Sequence, residues 1–327
     1  MTRSAEAVAA RRKSPDFFIV GNPKSGTTAL YETLRRHPQI FMPDLKEPWF
    51  FASDVRPRFQ PPRAGSTPTT LERYLDLFDA AGAGQRLGEA SSSYLASETA
   101  AASIGELRPD ARIVAILREP ASFLRSLHLQ LLHDHVETEK DLRTALSLEG
   151  ARREGRRVPR RSHLPQLLRY SEHVRYTAHL RRYHAVFPRE QVLVLIYDDF
   201  SRDNDAAVRR VLRFLDVDDV PIDATRANVT STRMRSQQLD ELMNSVTVGR
   251  GPVSRAVKAG VKALVPSEQL RTRALELTRR HVVYGKPAPV DDELMLELRR
   301  RFKGEVVELS EYLERDLVTL WGYDQVD

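Results

Sequence analysis

The sequence predicts an α/β fold: three layers, with a central parallel β-sheet flanked by helices. Three observations carry this expectation. Asp16–Gly21 (DFFIVG), Ala111–Leu117 (ARIVAIL) and Gln191–Tyr197 (QVLVLIY) are short, nearly unbroken apolar runs, the pattern of strands buried on both faces. Helical patterns separate these runs, and strands that alternate with helices pair in parallel through crossovers. The first two runs end in residues suited to an anion, GNPKSGTT and an arginine, and open α/β sheets bind ligands at such strand ends.

The elements follow in order. Residues 1–15 read as a mobile basic tail, with a single domain from 16 to 327. Thr27 to His37 turns helical, with Leu30 and Leu34 four apart, and Pro38 stops it. Lys46–Phe51 (KEPWFF) reads as a loop or edge, because Pro48 biases Glu47 toward an extended backbone. Residues 54–68 are rich in Pro, Arg, Gly and Ser and read as an exposed loop. A helix is expected over 70–81, a strand over 86–90 and a helix over 97–107. Pro120 then opens a helix in the position proline prefers. A basic stretch covers 151–161. Long helices are expected over 164–187 and 199–215, and loop and helix beyond about 220, ending in 291–320.

Composition narrows the function classes. The net charge of +6 and a pI near 9.6 favour anionic partners. Eight of the 51 basic residues are lysine, an arginine-rich balance that hints at a GC-rich bacterial genome. The chain has no cysteine, which excludes disulfides, thiolate metal sites and cysteine nucleophiles. No regular interleaving of aromatic and basic residues points to nucleic acid. The first 15 residues have no apolar signal region, and no window approaches the ~18 apolar residues of a membrane span. A cytoplasmic protein is the default expectation, and the sequence leaves the oligomeric state open.

Gly21 to Thr28 carries the chemistry. A nucleotide-triphosphate P-loop reads G-x-x-x-x-G-K-[ST]. Gly21 and Gly26 have that spacing and Thr28 fills the Ser/Thr position, but Thr27 stands where the lysine belongs and Lys24 lies inside the loop. Glycines permit close backbone approach, and the N–H groups of a following helix attract an anion. The strand ARIVAIL ends on Arg118 and not on a metal-binding acid, so the loop suits a phosphate-like group without a metal. The competing reading is a plain Gly turn between strand and helix. A second candidate is Arg118 with Ser126, eight residues on and about two turns into the next helix. Arginine binds phosphate through paired charge-assisted bonds and serine adds a donor; alone, this pair also fits a surface arginine and a capping serine.

Together these residues resemble the sulfotransferases that use 3′-phosphoadenosine 5′-phosphosulfate (PAPS). The family's 5′-phosphosulfate loop, P-K-S-G-T-T, matches Pro23–Thr28, and its 3′-phosphate signature matches Arg118, Pro120 and Ser126. Lys46–Phe51 and Glu89–Tyr94 (EASSSY) are similar to segments of the carbohydrate branch, and LERDLVTLWGY looks like the closing helix of bacterial members. The resemblance implies a P-loop-like fold and sulfuryl transfer from PAPS, without a metal, to an acceptor hydroxyl on a carbohydrate, lipid or secondary metabolite. It implies that Lys24 stabilises the leaving phosphate, that Pro23, Lys24, Ser25, Gly26, Thr27 and Thr28 bind the 5′ end, that Arg118 and Ser126 bind the 3′-phosphate, and that Glu47 is the general base. The late R-K-G-x-x-G-D-W-K segment of cytosolic members is missing; Asn228–Arg235, with Arg233, is the expected substitute.

Alternatives stand beside these roles. Glu47 also reads as a carboxylate paired with Lys46. His128, His133 and His135 are rival bases, or partly exposed helix histidines. Trp49, Phe50 and Phe51 line an acceptor pocket or pack in the core. The arginines at 152, 153, 156, 157, 160 and 161 attract an acidic acceptor or coat a solvated loop. Two other functions compete: an ATP- or GTP-dependent kinase or NTPase with an altered P-loop, and a non-catalytic anion- or nucleic-acid-binding protein, which strong salt dependence without nucleotide selectivity would reveal.

Overall fold

A computed structural model describes residues 12–55, 67–160, 162, 164–220, 233–234, 284–285 and 290–327. The chain divides into two compact units, Met1–Ala227 with Asp292–Asp327, and Asn228–Asp291.

The first unit is the expected three-layer α/β fold. Its sheet has five strands: β1 (Phe17–Ile19), β2 (Ile40–Phe41), β3 (Arg86–Ala90), β4 (Arg112–Leu117) and β5 (Val192–Ile196). They run in parallel in the order β2-β3-β1-β4-β5, with β1 at the centre. The apolar runs contain no alternation because both faces are covered. Phe18, Val20, Ile113, Ala115 and Leu117 join one core, while Phe17, Ile19, Val114 and Ile116 join the other. Successive residues thus feed opposite helical layers.

The helices follow the sequence with local corrections. Among the described residues they are α1 (Thr27–Leu34), α2 (Leu71–Leu75), α3 (Ala100–Leu107), α4 (Pro120–His133), α5 (Leu142–Ser147), α6 (Glu149–Arg153), α7 (Tyr176–His184), α8 (Tyr197–Arg202), α9 (Asn204–Leu215), α10 (Asp292–Tyr312) and α11 (Leu317–Leu320). The first stops short of His37 because its last turn tightens: the Arg36 and His37 amides bond only three residues back, to the Thr33 and Leu34 carbonyls. The helix expected over 199–215 starts at Tyr197 and breaks at Asp203, whose carboxylate accepts from the Ala206 amide and so caps α9.

The largest departure is at 164–187. A continuous helix is replaced by 3₁₀ turns at Pro165–Leu168 and Tyr170–Val174, and only then by α7. Three residues per turn bring i and i+3 to one side, so Tyr170, His173 and Tyr176 all turn inward and are buried. The polar groups this buries find partners: Tyr170 donates to Glu137 at 3.0 Å and lies 2.9 Å from His128 Nδ1.

Two other expectations change. Of the expected mobile tail, residues 12–15 are fixed: Arg12 binds Asp79, Lys13 donates to the Ala81 carbonyl, and Ser14 and Pro15 are buried. Residues 1–11 lie outside the described residues. In the basic stretch, Arg152 is buried against Glu137 in a two-pronged pair at 2.7 and 2.9 Å, so it neither coats a loop nor faces an acceptor. Arg153 pairs with Glu172 and Arg156 with Glu154. Arg157 and Arg160 are exposed, and Arg161 lies outside the described residues. In the second unit, β6 (Arg233–Met234) and β7 (Tyr284–Gly285) pair antiparallel. The Arg233 side chain lies outside what is described, as do residues 228–232 and 235 of the expected segment.

Candidate active site

The glycine-bounded loop sits at the carboxyl end of the central strand. Val20 and Asn22 extend the pairing beyond β1 by donating to the Val114 and Ile116 carbonyls. Gly21 lies so close to the neighbouring strand that a Cβ there would stand 2.8 Å from the Ile116 backbone, so only glycine fits. Lys24 has φ 63°, a left-handed conformation costly for a side-chain-bearing residue. Gly26, at φ 91°, caps α1 and has no side chain to bond the free amides of the first turn. Those amides, with the helix dipole, form an anion cradle. The Ser25 hydroxyl is buried there without a hydrogen-bond partner. Thr27 is buried and Thr28 exposed. Burial, with Arg118 nearby, holds the Lys24 ammonium below the usual lysine range, against the opposing pull of Asp134.

Arg118 is drawn to this loop. Its Nη1 donates to the Lys24 carbonyl at 2.9 Å, its Nε to the Ser122 hydroxyl at 3.3 Å, and its guanidinium lies 4.7 Å from the centre of the Tyr197 ring. Ser126 is half-buried. It lies on the i+4 row that runs Ser122, Ser126, Gln130, Asp134 along α4. Arg118 meets the start of that row, and Asp134, bonded to Gln130 at 2.9 Å, acts on Lys24 from its end. The α4 face therefore runs along the loop, which is how residues eight apart share one region. The opposite wall is α8: a Cβ on Gly26 would lie 2.9 Å from Phe200 and 3.5 Å from Tyr197. Sequence reasoning missed Ser122, Tyr197 and Phe200, because only the adjacency of β4, β1 and β5 assembles them.

Glu47 lies at the end of β3. Its amide donates to the Ala90 carbonyl, and its φ of 60° is left-handed, as is that of Trp49 at 51°, so KEPW is a tight turn and not an extended edge. The carboxylate accepts four bonds: from Lys46 Nζ (2.6 Å), Trp49 Nε1 (3.1 Å), the Ser92 amide (2.9 Å) and the Ser92 hydroxyl (2.8 Å). Phe50 stacks on Tyr74 at 4.6 Å and Phe51 is buried among aromatic rings, so both pack in the core; Trp49 is half-buried over Glu47. Neighbouring Glu89 is fully buried and accepts from the Tyr74 hydroxyl at 3.0 Å. Desolvation pushes its carboxyl up to about 7.

Among the histidines, His128 is buried between the Tyr170 hydroxyl and the Lys140 carbonyl, and burial keeps it neutral to lower pH. His133 and His135 flank Asp134 at the end of α4.

A cavity of about 400 Å³ opens beside the loop, lined by Asn22, Pro23, Ser92, His173, His179 and Arg182 among others. Its walls hold buried polar atoms without protein partners: Ser93 Oγ, Gln166 Oε1, His173 Nε2 and His179 Nδ1. Desolvation pulls His173 down to about 4 and His179 to about 3, so both are neutral imidazoles near pH 7. Buried polar atoms normally find partners, which suits this cavity to a hydroxyl-rich molecule. Among the described residues, no group of three or more His, Asp and Glu side chains is arranged to hold a metal, and no helix is long and apolar enough to cross a membrane.

Comparison with known proteins agrees with this geometry. Mouse carbohydrate sulfotransferase 15 is 27% identical over 251 residues, covering 62% of this chain and 44% of the mouse protein. A membrane-associated sulfotransferase, kil1, of Dictyostelium discoideum is 29% identical over 106 residues, 32% of this chain and 21% of that protein. The chain spans less than half the length of these curated relatives. The crystal structure of a sulfotransferase from Alicyclobacillus acidocaldarius superposes with a TM-score of 0.58 at 29% identity, covering 80% of this chain and 99% of that one. The model of the sulfotransferase family matches residues 15–221, a span that holds the sheet, the loop, Glu47, Arg118 and the cavity, and on this ground the chain belongs to the sulfotransferase family.

Proposed function

We propose that the chain is a PAPS-dependent O-sulfotransferase that binds its donor at Pro23–Thr28, Arg118 and Ser126 and its acceptor in the adjoining cavity. The observation that carries this reading is the loop itself: a strained Lys24, an orphaned buried Ser25 hydroxyl and the open amides of α1 converge at one strand end. These residues fit a 5′-phosphosulfate, because they offer donors and positive charge to an anion.

PAPS, when bound, supplies an activated sulfuryl group on its 5′-phosphate. The chain does the rest by position and charge. Lys24 neutralises charge that grows on the leaving phosphate oxygen. Ser25 to Thr28 hold that phosphate through amides and hydroxyls. Arg118 and Ser126, on the α4 side, bind the 3′-phosphate. The cavity holds the acceptor with a hydroxyl toward the loop; His173, His179 and Ser93 bond its other hydroxyls, which suits a carbohydrate or another polyol. Glu47 takes the proton. To do so it exchanges one of its four hydrogen bonds for the acceptor hydroxyl, and the Lys46 contact is the one to release, since the Ser92 and Trp49 bonds build the turn.

The test is calorimetric titration with adenosine 3′,5′-bisphosphate, ADP and ATP, with and without Mg²⁺. Tight, metal-independent binding of the bisphosphate, weakened in Arg118→Ala, is expected. Preference for ATP with Mg²⁺ would overturn the donor assignment in favour of phosphoryl transfer.

A further inference from the structure

The segment from Leu317 to Tyr323 (LVTLWGY) makes two hydrogen bonds with a common geometry, one part-buried and one buried. Trp321 Nε1 donates to Asp198 Oδ2 at 3.0 Å, and the Tyr323 hydroxyl donates to Glu119 Oε1 at 2.7 Å. Asp198 follows Tyr197, and Glu119 follows Arg118. Arg118 and Tyr197 are the cation–π pair that meets the loop, through the Lys24 carbonyl on one side and Gly26 on the other. The segment thus holds the residue next to each member of the pair. Gly322, at φ 72°, turns the chain so that both rings reach inward, where Tyr323 is fully buried and Trp321 nearly so. Two further contacts brace it: Arg315 pairs with Asp199 at 2.7 Å, and Ser310 accepts from the Leu317 amide at 3.0 Å. On the far side, the Tyr176 hydroxyl donates to the Arg118 carbonyl at 2.8 Å.

Glu119 is the sensitive point. It is buried, caps α4 by accepting from the Ala121 and Ser122 amides at 3.1 and 2.6 Å, and otherwise meets Tyr323 and, at 3.7 Å, Arg299. Loss of the Tyr323 donor leaves this buried carboxylate less satisfied, at a cost in free energy, and Arg118 is one peptide away, bonded to the same Ser122.

We propose that Tyr323 and Trp321 are positioning residues of the donor site: they clamp Arg118 and Tyr197 against the Lys24 loop and so set affinity for the donor nucleotide. This rests on the reading that Arg118 binds the donor. The experiment uses the full chain and the variants Tyr323→Phe, Trp321→Phe, Arg118→Ala and Arg118→Ala with Tyr323→Phe. Amide hydrogen exchange of the ligand-free protein tests the clamp without any ligand: exchange at 24–28 and 118–122 is expected to rise about tenfold in Tyr323→Phe, the size that loss of one hydrogen bond to a charged group gives, with β4 and α9 unchanged. Affinity for adenosine 3′,5′-bisphosphate should fall by a similar factor, and Tyr323→Phe should add less than about twofold when Arg118 is already alanine. Unchanged exchange at 24–28 in both single variants overturns the clamp, as does an affinity loss from Tyr323→Phe of equal size with and without Arg118, which would mark a general packing role. If Arg118→Ala leaves bisphosphate affinity intact, the donor reading falls and the exchange data alone decide the clamp. Trp321→Phe, which keeps an aromatic ring and removes one N–H, supplies the same readout should Tyr323→Phe fold poorly.

Discussion

Pro23 separates two regions built on opposite plans. After it come Lys24 to Thr28, five consecutive residues whose offered groups are mainly backbone amides, fixed by two glycines and one helix start. Beside it opens a cavity whose lining comes from residues 22–23, 54–55, 92–98 and 166–182, and whose offered groups are side chains, the neutral imidazoles of His173 and His179 together with arginines such as Arg182. The first plan suits a ligand portion that is always the same anion, because backbone donors at a helix start bind charge whatever the neighbouring side chains. The second suits a variable partner, because each side chain changes without disturbing the loop. The contrast teaches that the loop and the cavity can be probed separately by mutation along the chain.

That separation is testable, and the largest effect is expected in the loop. Lys24→Ala should lower kcat by about 10³-fold, in the range seen for removing one group that stabilises transition-state charge, while circular dichroism shows the fold intact; near-normal turnover would remove Lys24 from the mechanism. The pH profile sharpens the same point. Because burial lowers the Lys24 ammonium, the alkaline fall of kcat/KM should come at lower pH than for a free lysine, and Lys24→Arg, at reduced rate, should move it up.

Glu89 comes next. Its carboxyl is raised from the ordinary range to about 7, so it is protonated in the folded protein where the unfolded chain is already ionised. The stability it lends is therefore full below about pH 4.5 and is lost as pH rises through 7. Glu89→Gln should gain on the wild type by about 3 kcal/mol between pH 4.5 and 8, as a shift of that size implies; urea unfolding at both pH values measures it, and a pH-independent difference would mean Glu89 is ionised inside.

Glu47→Gln should cost about 10²-fold in kcat, the low end for a general base, with bisphosphate affinity unchanged. A loss confined to thermal stability would instead assign Glu47 to holding Ser92 and Trp49. The smallest effect is expected in the cavity: Arg182→Ala should raise acceptor KM about tenfold, the worth of roughly one charge-assisted hydrogen bond, and leave the bisphosphate Kd alone. If both affinities moved together, the two regions would not be separate sites.

The sequence was most legible where chemistry is local. GNPKSGTT names its own structure, because glycine spacing, a strand before and a helix after decide the geometry within eight residues. The sheet was legible for the same reason, since β4 and β5 are each a run whose composition alone demands burial. The 164–187 segment was not, because its helical periodicity is real and the 3₁₀ turns arise only from the need to bury Tyr170 beside His128 and Glu137. Glu47 was legible as a residue and not as a site: Lys46 is its neighbour in sequence, but Ser92 is 45 residues away.

By itself, then, the sequence determined the layered fold, the anion cradle with its displaced lysine, and the basic character that draws a charged donor. Each of these is a property of one continuous segment or of composition. Only the tertiary structure decided which arginine is buried and paired, that α4 lies along the loop with Ser122 beside Arg118, that Tyr197 and Phe200 close the opposite wall, and that Trp321 and Tyr323 hold both. The physical reason is that these pairings join strand ends adjacent in the sheet and remote in the chain, and no periodicity or motif records adjacency that parallel strand order alone creates.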